Sequence, residues 1–138
     1  MRHTSDQRYK LTTHQHQIAI GLAGMYNDYK TMVKIEADLS AVPQSEIHST
    51  DISDTTAVKA ERIEPYMNKI RLIEKTARDA GDDLWKFILL GVTEERSYDN
   101  LRLMYGIPCG KDEYYRRRQY FLWLLYKRFE MSALEPLN

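Results

Sequence analysis

The stretch from Asp82 to Met131 reads DDLWKFILLGVTEERSYDNLRLMYGIPCGKDEYYRRRQYFLWLLYKRFEM. It falls into four pieces. Leu84, Trp85, Phe87, Ile88, Leu89 and Val92 make a segment apolar nearly all round, which predicts a helix at the buried centre of a domain. After the polar connector Thr93-Glu94-Glu95-Arg96, Ser97 can cap a short amphipathic helix, with Leu101, Met104 and Tyr105 inward and Arg102 outward. Gly106-Ile107-Pro108-Cys109-Gly110 breaks the pattern. A long helix rich in arginine and aromatic residues follows. On it Tyr114, Arg118, Phe121, Leu125 and Phe129 share one face, with Leu122 beside them. The opposite face carries Asp112, Tyr115, Arg116, Gln119 and Tyr126, with Lys111 at the tip. Arg118 can lay its stem on the core and keep its head in water.

The upstream sequence is helical too. From about Thr13 to Asp38, Ile18, Leu22, Met25, Tyr29 and Met32 recur at three- and four-residue spacing, with Tyr26 and Val33 widening a stripe expected to be core. Gly21 and Gly24 each weaken the helix by about 1 kcal/mol relative to alanine unless they permit close packing. Residues 1–11 are polar and read as loose, and 39–53 as a flexible link around Pro43. A second helix opens with Ser53 or Asp54 as its cap and buries Ile63, Tyr66, Met67, Ile70, Ile73 and Ala77. Pro65 inside it predicts a break or kink near Glu64. Gly81 is expected to end this helix and Asp82 to cap the next, while the tail after Met131 should fray. The expected fold is all-α: an N-terminal helical pair in residues 1–81, then a three-helix unit in 82–138.

The totals bound the function. A chain of 138 residues suffices for one domain, or a small domain with a helical extension. Hydrophobic residues make up 43%, but mean hydropathy is −0.59 and no run reaches the roughly 18 apolar residues of a membrane span. The first thirty residues have no signal-peptide pattern. Cys109 is the single cysteine, which excludes an intramolecular disulfide and a cysteine-based zinc site, so a cytoplasmic location is expected. His14 and His16, two apart on a helix, do not face one ligand, and no metal or other cofactor is expected. No Ser-His-Asp order, phosphate-cradling glycine loop or metalloprotease motif occurs, so an enzyme is not expected.

Formal net charge is zero, with 20 basic and 20 acidic residues, but the distribution is uneven. Between Lys111 and Arg128 stand six basic residues against the two acids Asp112 and Glu113. Supporting helix, turn and basic second helix is the order of parts in a helix-turn-helix that places its second helix in the major groove of double-stranded DNA. In that reading Lys111, Asp112, Tyr115, Arg116 and Gln119 reach base edges. Arg102 and Arg117 contact phosphates, and Ser97 offers a phosphate the helix start behind it. The turn is a residue or two longer than in many such motifs. The competing reading is a three-helix packing unit whose last helix is merely basic outside and aromatic inside.

Two segments carry a family resemblance: SDTTAVKA, Ser53 to Ala60, and SYDNLRLMYGIPCGKDEYYRRRQYFLWLL, Ser97 to Leu125. Together they resemble the ArpU/RinA-like late transcription regulators of phages and prophages in Gram-positive bacteria. The shared Ser-Asp-x-Thr-x-x-Lys-Ala-like stretch is matched by Ser53, Asp54, Thr56, Lys59 and Ala60. The resemblance implies a helix-turn-helix similar to the fourth region of sigma factors. Its recognition helix would be Lys111 to Leu125 and its supporting helix Ser97 to Tyr105. It also implies activation of late genes in a bacterial host cell, with host RNA polymerase as a partner. A homodimer is expected because the two N-terminal stripes exceed what a small unit needs to cover. The alternatives are a small-terminase-like DNA packaging protein, and a protein-protein interaction module acting on RNA polymerase through exposed Tyr120, Trp123 and Tyr126.

Overall fold

The computed structural model describes residues 7–40 and 52–134, with side chains for 8–39 and 60–132. Every regular element among the described residues is helical. A 3-10 turn, Gln7–Tyr9, precedes α1 (Thr13–Ser40) and α2 (Ile52–Gly81); a second 3-10 turn, Asp82–Leu84, leads into α3 (Trp85–Thr93), α4 (Tyr98–Tyr105) and α5 (Lys111–Leu134). The expected all-α class is therefore observed. The core of the expected link, residues 41–51, lies outside the described residues. So do residues 1–6, the tail 135–138, and the side chains of Ser53 and Asp54, which stand inside α2 and not before it as the expected cap.

The described chain divides into two units, one of Met1–Met25 with Ile73–Asn138 and one of Tyr26–Leu72. This does not follow the boundary expected at 81/82, because the last turns of α2 and the start of α1 belong with the C-terminal helices. In the larger unit α3 packs on both α4 and α5. Ile88, Leu101, Tyr114 and Phe121 are fully buried there. The smaller unit joins the remaining arms of α1 and α2, with Tyr29 and Tyr66 ring centroids 6.3 Å apart.

Several local expectations are corrected. The inward face of α1 is Ala19, Ala23 and Tyr26, while Ile18 and Met25 are 42% and 38% exposed. The stripe of large residues thus lies beside the buried face, one residue out of phase. Gly21 and Gly24 do not serve close packing, since a Cβ at either would meet nothing within 4 Å. Helix α1 opens on a reciprocal cap, Thr12 N–H to Gln15 Oε1 (3.0 Å) and Gln15 N–H to Thr12 Oγ1 (3.2 Å). Helix α2 runs unbroken through Pro65. Glu61 and Pro65 are both exposed, so water can take the Glu61 carbonyl that the proline leaves without a donor.

Gly81 does end α2, but Asp82, not the glycine, takes the left-handed conformation (φ 54°). Gly81 serves packing instead: a Cβ there would lie 2.5 Å from Ile88 Cδ1. Asp82 makes no side-chain cap, and α3 is preceded by Leu84 with none either. Residues 7–11 are not loose, because the Gln7–Tyr9 turn packs on α5. At the far end α5 continues past Met131 to Leu134.

Candidate nucleic-acid interface

Helix α4 and the turn after it are fixed by local chemistry. Ser97 Oγ accepts from Asn100 N–H at 3.1 Å. Gly106 closes the helix in the left-handed region (φ 65°, ψ 42°), its N–H reaching Arg102 O, while Ile107 N–H reaches Leu101 O. Non-glycine residues pay about 1–2 kcal/mol in that region. Ile107 is buried, and Tyr98 donates its hydroxyl to Cys109 O, which holds the turn against α4. Burial, reinforced by Glu113, pushes the Cys109 thiol above its ordinary value. The inward set of α4 is smaller than expected. Leu101 is buried with Tyr98, whereas Leu103, Met104 and Tyr105 are 74%, 67% and 44% exposed. On this two-turn helix the core claims Tyr98 and Leu101 and leaves Leu103, Met104 and Tyr105 in water.

The basic residues of α5 separate into two groups. Arg117 pairs with Glu113 (3.2 Å), Lys127 with Glu130 (3.8 Å) and Arg128 with Asp79 (2.6 Å). Arg117 also donates to Gly81 O at 3.1 Å, satisfying a C-terminal carbonyl of α2. Arg128 donates to the buried Thr76 hydroxyl at 2.7 Å. Hydrogen bonds from Arg128 and then Lys75 hold the Asp79 carboxyl below its ordinary 3.8. Lys111, Arg116 and Arg118 have no carboxylate partner among the described residues. The unneutralised charge is thus gathered in the first two turns of α5, where Lys111 and Arg116 are exposed.

Comparison with protein-family models, curated proteins and solved structures finds no match to this chain.

Of the residues singled out from the sequence, Ser97, Arg102, Lys111, Asp112 and Arg116 are exposed. Tyr115 is half-buried, edge-on to Tyr114 at 5.0 Å, with the Arg118 guanidinium 5.9 Å from its ring centroid. Arg117 and Gln119 are engaged inside the fold. The role of Arg117 as a phosphate contact gives way to its bonds at the end of α2. Gln119 donates Nε2–H to Tyr9 O at 3.2 Å, so it reads no base while the N-terminal segment is in place. That segment also covers the aromatic side of α5. Tyr9 lies 4.5 Å from Tyr120 and 5.2 Å from Trp123 between ring centroids.

Tyr126 bonds Glu130, which with burial raises its phenol, and Gln15 bonds the same side chain. Tyr120, Trp123 and Tyr126 are therefore half-buried, not the exposed aromatic set expected for a protein-binding face. Sequence reasoning missed Tyr9 as a partner of α5. A single tyrosine in a polar leader gives no periodicity to detect, and its contact spans more than a hundred residues of sequence.

Proposed function

We propose that the chain is a phage or prophage transcription regulator, an activator of late genes, that reads duplex DNA through α4 and α5 as a helix-turn-helix. One observation carries the reading: the cations left unpaired on α5 stand in its first turns, the part of a recognition helix that meets base edges. Arg116 and Lys111 are the base-reading candidates, Asp112 can accept from cytosine N4, and Tyr115 stands beside them. Arg102 and the capped start of α4 at Ser97 are phosphate contacts. The likeness of Ser53–Ala60 and Ser97–Leu125 to late regulators supports the transcriptional setting. Selection of bound fragments from random duplexes, followed by anisotropy titration, tests it. Arg116→Ala should relax sequence preference. Arg102→Ala should weaken all duplexes alike and lower the salt slope by about one unit. Salt-insensitive binding, or variants that behave as the parent does, would overturn it.

A second reading, as an interaction module, is favoured by Leu103 and Met104, whose exposure invites a protein partner such as host RNA polymerase. The two are compatible in an activator. A homodimer is supported by the exposed large residues Ile18, Met25, Ile35 and Leu39 of α1.

A further inference from the structure

The larger unit holds an open cavity of about 350 Å³ between the Tyr9–Leu11 segment and α5. Its lining is chemically one-sided. Lys10 and Arg118 bring positive charge, and no carboxylate lines it. Neither cation has an ion-pair partner among the described residues. Leu11, Leu122 and the ring of Tyr115 supply apolar wall. Gln119 is held in place by its bond to Tyr9 O.

We propose that this cavity binds a small organic anion, a carboxylate or phosphate carried on a flat apolar ring. The charged head would meet Arg118, whose planar fork suits either group, with Lys10 adding charge from the rim. The ring would lie between Leu11, Leu122 and Tyr115. Size supports one substituted ring: a cavity of about 150 Å³ already takes benzene, and ligand pockets begin near about 300 Å³. An inorganic ion would satisfy the charge and leave the apolar wall wet, so it should bind more weakly. The site shares Tyr115 with the proposed DNA-reading face but does not rest on that reading, and its test contains no DNA.

The full chain is titrated with phenyl phosphate, benzoate, inorganic phosphate and benzylamine, following backbone amide shifts by NMR. Phenyl phosphate and benzoate should saturate, with shifts centred on residues 9–11 and 115–122. Arg118→Ala should weaken both by about tenfold, as expected for one lost charge-assisted bond. Lys10→Ala, at an exposed position that leaves the core intact, should weaken them by about threefold through lost Coulomb attraction. Arg78→Ala, on α2, should change nothing. Lack of saturation by both aryl anions would overturn the proposal. So would benzylamine or inorganic phosphate binding as tightly as phenyl phosphate, or parent-like binding by both the Arg118 and Lys10 variants.

Discussion

Tyr114 is fully buried, and its hydroxyl has no hydrogen-bond partner among the described residues. The oxygen abuts Gly91, where an added Cβ would collide with it. Gly91 in α3 is thus a glycine because a tyrosine on α5 needs the space. Gly91→Ala should destabilise by about 1–3 kcal/mol through overpacking. Tyr114→Phe should be neutral or stabilising, since an unsatisfied buried group costs about 1–3 kcal/mol. The double variant should regain most of what Gly91→Ala loses; urea midpoints measure all three, and additive losses would refute the contact.

The same ring sets a pH dependence. Burial pushes the Tyr114 phenol up from 10.0 to about 12. A folded value raised above the unfolded one gives stability that is complete below pH 10 and drains between pH 10 and 12. The loss is about 1.4 kcal/mol per pH unit for one group. The readout is the difference between parent and Tyr114→Phe across that window, which cancels whatever the two chains share. None of this was legible in advance. The sequence places Tyr114 on the core face of its helix, but not which glycine its hydroxyl will meet.

At the scale of elements, the clearest signals were the chemical punctuation marks. Ser97 and Gly106 bound α4 because a serine oxygen can replace a missing acceptor and a glycine can turn left-handed; the serine cap and a break at Gly106 were readable, and the left-handed turn is what the structure adds. An eight-residue helix is too short to be stable alone, so its caps matter. Ser97→Ala should cost about 1 kcal/mol and Gly106→Ala about 1–2 kcal/mol. Gly21→Ala is the contrasting control. It is exposed with open space around its Cβ position, and alanine there should gain up to about 1 kcal/mol. Thermal melts of the three variants check this, and a Gly106→Ala variant as stable as the parent would remove the left-handed cap from the account.

Phase was less legible than punctuation. In α1 the large residues Ile18, Leu22 and Met25 dominate any hydrophobic count, yet Ala19 and Ala23 face inward. A buried position can be held by a side chain as small as alanine, and hydrophobicity alone does not weigh size. Pro65 shows the same limit from the other side. The broken hydrogen bond was foreseeable, but whether water could reach the orphaned carbonyl was not.

At the scale of the whole molecule, burial is distributed unevenly along continuous helices. Among the described residues, only Tyr26 and Ile70 of the buried apolar side chains belong to the unit Tyr26–Leu72; the others belong to the larger unit. Helix α2 passes from one to the other, with Ile73, Thr76, Ala77 and Ala80 buried in its last turns. Local opening is governed by the buried contacts that must break, not by helical assignment. Amides of residues 60–71 should therefore exchange at least about tenfold faster than those of 74–80, within one helix of similar composition. If a second copy covers the exposed Ile35 and Leu39 of the smaller unit, raising the protein concentration should slow exchange in residues 26–39 and leave 114–125 unchanged. Hydrogen exchange read by NMR across a dilution series measures both effects. Uniform protection along α2 would mean that the smaller unit draws stability from contacts beyond its own buried side chains. Exchange in 26–39 that ignores concentration would remove the second copy from that surface.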